Sequence, residues 1–336
     1  MVSIKEVAQK CGVSVSTVSK ALNNQSDVSE VKKQMIRKVA KEMGYSPNSS
    51  ARALKTNTSK NIGVLFVDES KSGLTHEFFA SVLDSFKVTV ENYGYDITFI
   101  MNKKKDGMSY LEHCRYRGFD GVMIACVNFD EPEVQELLTS EIPLVTIDYT
   151  HNDTISILSD NAQGMEQITE YAIQQGHKKI AYMYGEKSSV TTNRTSSFFI
   201  TLQKHKIKIP DHYLVETKYR SMSEAEKHTH ELLDLPEPPT CILYCDDIAC
   251  FGGMNAIHSR GLRIPEDISV GGYDGVSMAG RIEPKITTVK QKPEEIGRLA
   301  GEKLVSLIEH PRVTLIDKVV VGTELREGRT IAKLGE

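Results

Sequence analysis

No stretch of this 336-residue chain approaches the roughly 18–20 consecutive apolar residues that a membrane-spanning helix requires. The first twenty residues mix polar and apolar side chains and include Glu6, so they do not read as a secretory leader, and the expected location is the cytoplasm. Cysteine is sparse. Cys11, Cys114, Cys126, Cys241, Cys245 and Cys250 lack paired CxxC spacing and several fall inside apolar runs, which favours buried free thiols over zinc or disulfides. The signatures GxxxxGK(S/T), HExxH and GxSxG are missing, and Gly271-Gly272-Tyr273 is not a dinucleotide fingerprint. Nucleotide hydrolysis, zinc proteolysis and α/β-hydrolase chemistry therefore have no carrier. His228 and His230 stand two apart in a helical stretch and face different ways, so they do not form a metal pair. The expectation is a protein that is not an enzyme and needs no cofactor or metal.

What is present is an ordinary globular composition, 40% hydrophobic and 26% charged, with an uneven distribution of charge. The net charge is −4, yet residues 1–59 hold ten Lys or Arg against four Asp or Glu. A small basic head on an acidic body marks polyanion binding confined to the head.

The head reads as three short helices. Ser3-Ile4-Lys5-Glu6 fits a capping box, with Ile4, Val7 and Ala8 at helical spacing until Gly12 breaks the run. Ser14 is placed to cap a second helix with an apolar stripe of Val15, Val18, Ala21 and Leu22. After the polar loop 23–27, Ser29 is placed to cap a third, with Val31, Met35, Ile36, Val39 and Met43 expected inward and Gly44 closing it. This is the pattern of a helix-turn-helix. The second helix would expose Val15, Ser16, Ser19 and Lys20 near its start. Small side chains let a helix sit deep in the major groove, where Ser16 can meet a base edge, Val15 a thymine methyl and Lys20 a guanine or phosphate.

The runs Ile4–Ala8, Gly12–Asn23 and Gly44–Leu54 resemble the LacI/GalR family of bacterial regulators, and the resemblance extends over the chain. It implies a homodimer on double-stranded operator DNA, with contacts from Ser14, Val15, Ser16, Thr17, Ser19, Lys20 and Asn23. Lys20 stands where the family usually has arginine, and a point charge replaces the fork that reads guanine bidentately. Residues 46–59 have their own logic: Pro47 discourages continuation of the third helix, and Asn48–Lys55 allows about two turns, too short to be stable alone. By resemblance this is a hinge helix that pairs with its copy in the minor groove, with Asn48, Ala51, Leu54 and Lys55 at the DNA and Leu54 as a wedge.

From residue 60 the pattern alternates strand and helix, starting with the apolar run Ile62–Val67. Two such series imply two doubly wound parallel-sheet lobes, a periplasmic-binding-protein-like body. By that likeness the chain crosses between lobes near Ser159, Val289 and Gly322. The domains expected are 1–46 (head), 47–59 (hinge), 60–159 with 290–321 (N-lobe) and 160–289 with 322–336 (C-lobe).

Ligands of such folds bind beyond the carboxyl ends of the strands. Asp148, Asp246, Asp247 and Asp274 lie at such ends, and each can equally cap the following helix. Asp247 is assigned the cap. Asp246 and Asp274 are assigned to ligand on the resemblance, with Asp148 open between the two roles. The resemblance adds Arg194, read near the start of a helix over 193–205, the pair Phe78 and Phe79 on the N-lobe rim, and Tyr219 as an aromatic cover. Acids, one arginine and aromatic faces suit a sugar or sugar phosphate. A purine is the alternative, against which Ser188 and Val190 offer little surface. A sugar-binding protein without a DNA role would need neither the basic head nor its motifs.

Overall fold

The computed structural model describes residues 2–46, 58–68, 73–101 and 107–335. The chain divides into two compact units, Met1–Lys60 and Asn61–Glu336. Asn48, Ala51, Leu54 and Lys55 lie outside the described residues.

The first unit is three helices: α1 (Ile4–Cys11), α2 (Val15–Leu22) and α3 (Glu30–Glu42). The capping box forms: Glu6 Oε2 accepts from the Ser3 N–H at 2.7 Å, while Ser3 Oγ accepts from the Glu6 N–H at 3.4 Å. Gly12 ends α1 in the left-handed region at φ 63°, where a residue with a Cβ is strained. Ser14 Oγ caps α2 by accepting from the Thr17 N–H at 3.1 Å. Val7, Ala8, Val18, Ala21, Val28, Ile36 and Ala40 make the core.

Two expectations for α3 fail. Ser29 stands at the N-cap without a side-chain bond. Val31 and Met35 are 79% and 41% exposed, and the inward face is Lys33, Ile36 and Ala40. The helix is rotated so that its small Ala40 admits close packing, while Lys33 lays its stem inward and its ammonium on Glu30 at 2.7 Å.

The second unit holds two six-stranded sheets. The first contains β1 (Asn61–Phe66), β2 (Asp96–Phe99), β3 (Gly121–Ala125), β4 (Leu144–Ile147), β5 (Ile155–Ser159) and β11 (Lys318–Val321), ordered β11-β5-β4-β3-β1-β2 and wholly parallel. The second contains β6 (Ile180–Tyr184), β7 (Leu214–Glu216), β8 (Cys241–Tyr244), β9 (Ser269–Asp274), β10 (Thr287–Lys290) and β12 (Glu324–Arg326), ordered β12-β10-β9-β8-β6-β7. Its edge strand β12 runs antiparallel to β10, a departure from purely parallel lobes. The chain passes between sheets after Ser159, after Lys290 and after Val321.

Each sheet is covered on both faces, because successive side chains alternate. In the first, Ile62, Val64, Met123 and Val145 face the helices α4 (Glu77–Asn92) and α11 (Pro293–Glu309), while Leu65, Val122, Ile124 and Leu144 face α5 (Tyr110–Arg117) and α6 (Pro132–Leu138). In the second, Ile180, Tyr182 and Leu243 pack under α7 (Asn161–Gln174) and α8 (Ser189–Lys204). Met183, Ile242 and Val270 pack under α9 (Met222–Leu233) and α10 (Asp247–Ser259). Fully burying one such side chain contributes about 1.5–3 kcal/mol, so these layers fix the positions of the strand ends. Cys114, Cys241, Cys245 and Cys250 lie in the layers, with Cys11 and Cys126 half-buried. No helix among the described residues is long and apolar enough to cross a membrane.

Candidate DNA-reading face and effector cleft

On α2, Val15 and Ser16 are exposed, with Ser19 and Lys20 half-buried one turn on, so these four share one face. Ser14 and Thr17 place their hydroxyls 2.8 Å apart at the cap. Asn23 folds back, its Nδ2 donating to Ser19 O at 2.8 Å. Lys20 is held in an ion pair by Asp27, which sequence reasoning missed because the partner is on the following loop. That loop is pinned from α3 by Arg37, which donates to Asn24 Oδ1 at 3.1 Å.

The carboxyl ends of both sheets gather the second set of expected residues. Asp148 follows β4 with φ 54°, and Asp274 ends β9 with φ 97°. Both take a left-handed backbone that costs energy for any side chain and that Asp tolerates better than most. Burial pushes the Asp148 carboxyl up to about 6 against the pull of the Ser159 N–H, which donates to its Oδ1 at 2.7 Å, and of Arg194.

Arg194 lies in the second turn of α8, because that helix starts at Ser189 and not at 193; Ser188 caps it by accepting from the Thr191 N–H at 3.1 Å. The Arg194 side chain is buried. Its Nε donates to Asn161 Oδ1 at 2.8 Å and its Nη1 to Cys245 O at 2.8 Å. Its Nη2 stands 4.0 Å from Asp274 Oδ1.

Of the two aspartates after β8, the cap assigned to Asp247 falls to Asp246. Asp246 is the cap of α10, its Oδ1 accepting from the Ala249 N–H at 2.8 Å while Oδ2 accepts from the Arg220 N–H at 2.7 Å. Asp247 is the first helical residue and turns inward, where it accepts from Thr288 Oγ1 at 2.6 Å and from the Val276 N–H at 2.8 Å. Burial raises both carboxyls, Asp247 the further. Sequence spacing alone does not distinguish adjacent acids, because the cap is decided by where the extended backbone turns helical.

The aromatics divide. Phe78 is in the core and Phe79 is half-buried against Phe66, with ring centroids 5.6 Å apart. Tyr219 is half-buried over Gly185; its hydroxyl is 2.9 Å from Thr191 Oγ1. Three residues that sequence reasoning missed join them. Asn161 orients Arg194. Gln291 donates to Asp274 Oδ1 at 2.7 Å. His76 stands at the N-cap position of α4 without a side-chain cap bond, with its ring 4.9 Å from that of Phe79, and burial holds its pKa down although Asp274 pulls it up. Asn161 and Gln291 sit next to passages between sheets, which is the one signal that pointed toward them.

Buried His76 Nδ1, Ser159 Oγ and Gln291 Oε1 have no hydrogen-bond partner among the described residues. Bonds link the layers of the two sheets beside these strand ends: Glu77 accepts from the Ser277 N–H at 2.7 Å and from Ser277 Oγ at 3.3 Å, and Ser189 Oγ donates to Asp148 O at 2.8 Å. His228 lies between Glu224 and Glu231 while His230 accepts from Arg260, so the two histidines serve different partners.

Residues 3–48 match the bacterial regulatory proteins of the lacI family, and residues 169–331 match a periplasmic binding protein-like domain. The chain is 33% identical to the Probable HTH-type transcriptional repressor ExuR of Bacillus subtilis (strain 168) over 99% of both proteins. It is 31% identical to the HTH-type transcriptional repressor PurR of Pectobacterium atrosepticum over 93% of this chain and 92% of that protein. Among solved structures, a lac repressor dimer bound to operator and the anti-inducer ONPF superposes with a TM-score of 0.84 at 24% identity, covering 98% of this chain and 99% of that one. A transcriptional regulator CelR–cellobiose complex gives 0.71 at 22% identity, covering 98% and 100%. The helix-turn-helix, the two-lobed body and full-length identity to curated repressors agree: this chain belongs to the lacI family of bacterial regulatory proteins, DNA-binding transcription regulators that are not enzymes.

Proposed function

We propose that this regulator is a cytoplasmic homodimeric repressor whose hold on operator DNA is set by a sugar or sugar phosphate bound between the lobes. The effector contacts are Asp148, Asp246, Asp274 and Arg194, with Phe79 and Tyr219 as apolar walls and Phe78 supporting Phe79 from the core. Residues 60–159 with 290–321 form one lobe and 160–289 with 322–336 the other. The head at 1–46 reads the major groove and the hinge at 47–59 the minor groove.

The observation that carries the effector reading is the set of orphaned buried polar atoms, His76 Nδ1, Ser159 Oγ and Gln291 Oε1, beside three acids and one arginine at the strand ends. Leaving a buried polar atom unpaired costs about 1–3 kcal/mol. A polyhydroxyl ligand supplies both donors and acceptors to such a wall. A structure related by fold at 25% identity, a lacI-family regulator from Enterococcus faecium, is described with bound ribose. The ligand acts on DNA by favouring one lobe arrangement over another, so effector and operator affinities are linked. The test is a thermal-shift screen of sugars and sugar phosphates, repeated as operator binding by fluorescence anisotropy. A saturating hit stabilises by about 2.7 kcal/mol at a hundredfold excess over Kd. A panel with no hit, or a hit without effect on operator binding, refutes the reading.

The competing ligand class is a purine. Ser188 is committed to capping and Val190 is small, so little stacking surface faces a base there. Purine bases in the same screen decide between the two.

A further inference from the structure

We propose that the C-lobe carries a second small-molecule site, for a phosphorylated ligand with an apolar body, at the opposite end of its sheet from the effector cleft. A pocket of about 380 Å³ opens where β6, β7 and β8 begin. Three connecting segments line it: Lys178 and Lys179 before β6, Lys208, Ile209, Pro210, His212 and Tyr213 before β7, and Pro236 with Glu237 before β8.

Its floor is apolar, made of Ile209, Pro210, Pro236 and the buried ring of Tyr213. The loops are fixed to one another, since the Tyr213 hydroxyl donates to Glu237 O at 2.7 Å and the Thr240 N–H donates to Lys179 O at 2.8 Å. The pocket is thus held by bonds that do not depend on its lysines.

Its rim is cationic beyond what the fold neutralises. Lys179 pairs with Glu237 at 3.2 Å. Lys178 and Lys208 have no carboxylate partner among the described residues. Like charges gathered around a concave apolar floor repel one another, and an anion relieves that repulsion. Ammonium groups on flexible stems are point charges, which suit a tetrahedral phosphate better than a planar carboxylate. The floor then takes the rest of the molecule. This inference uses none of the cleft residues, so its failure leaves the effector reading untouched.

The experiment is calorimetric titration of 1-naphthyl phosphate into the full-length protein, with 1-naphthol and inorganic phosphate titrated separately. The expected result is one site per chain, tighter for 1-naphthyl phosphate than for either part, and weakened as salt rises. The double variant Lys178→Glu/Lys208→Glu should lose at least tenfold in affinity. Both side chains are exposed, so its melting temperature should match the parent's, and Lys208→Gln serves if it does not. Arg194→Lys, in the cleft, should bind the probe normally. No binding at millimolar probe, equal affinity for 1-naphthol, unchanged affinity in the lysine variants, or loss in Arg194→Lys each overturns the proposal.

Discussion

The guanidinium carbon of Arg194 sits 3.5 Å above the centre of the Tyr273 ring. This stacking, with the bonds to Asn161 Oδ1 and Cys245 O, holds the arginine flat and leaves Nη2 4.0 Å from Asp274 Oδ1. A cation on an aromatic face in a water-poor site contributes up to about 2 kcal/mol. The arginine is therefore held in place by the protein's own contacts, which would lower the ordering cost of gripping the proposed effector.

Arg194→Lys should abolish the effector thermal shift while the protein stays folded. The ammonium keeps the charge but cannot stack and bond to Asn161 and Cys245 together. Arg194→Ala should cost about 1–3 kcal/mol of stability besides, because it strands buried acceptors. A shift that survives in Arg194→Lys and in Asp274→Ala would place the effector elsewhere.

The raised Asp148 carboxyl should make stability, and effector binding with it, depend on pH. Its folded carboxyl titrates at about 6, above the ordinary 3.8. The folded state therefore holds the proton more tightly, and the stabilisation that results is complete below the unfolded value and lost as pH rises through about 6. Asp148→Asn keeps an acceptor for the Ser159 N–H and removes the charge. It should be more stable than the parent at pH 7.5 by about 3 kcal/mol and equal to it near pH 3.5. Urea melts at both pH values measure this, and a less stable variant at pH 7.5 contradicts it. Parental affinity for the effector should fall as pH drops below 6, where the carboxylate is lost as an acceptor.

Gly185→Ala tests Tyr219 without touching its ring chemistry. A Cβ at Gly185 would lie 2.1 Å from Tyr219 Cε2, so the ring must move. Effector affinity should fall tenfold or more while effector-free operator affinity is unchanged. Unchanged effector affinity would remove Tyr219 from the wall.

Asp27→Ala should release Lys20 for DNA. Operator affinity should rise, and its logarithm should fall about one unit more steeply against the logarithm of salt, because one more phosphate contact releases one more counterion. An unaltered slope would show that Lys20 reaches DNA with Asp27 still attached, or not at all.

Leu54→Ala should leave effector binding intact and weaken operator binding severely, since a wedge exchanges the cost of unstacking for a bend that permits more contacts. Full operator affinity and an unchanged bend in a circular-permutation gel would sink the wedge.

Much of this regulator was legible from local patterns. The capping box at Ser3 and Glu6, the break at Gly12 and the cap at Ser14 depend on residues within four positions of each other, so the chain itself decides them. Apolar runs such as Ile62–Val67 announce strands covered on both faces, and the strand-end rule pointed to Asp148, Asp246 and Asp274. The short helices α5 and α6, and the edge strands β11 and β12, carry too few periods to stand out. Tertiary structure decided the rest. It set which face of α3 turns inward, where Ala40 rather than Met35 fits. It chose Asp246 over Asp247 as the cap, because Thr288 and the Val276 N–H lie where an inward carboxylate can be satisfied. It also brought Asn161 and Gln291, remote in sequence from the residues they hold, to Arg194 and Asp274. Local order fixes elements because its interactions close within a turn or a strand; a binding wall is made of partners whose separation is set only when the sheets pack.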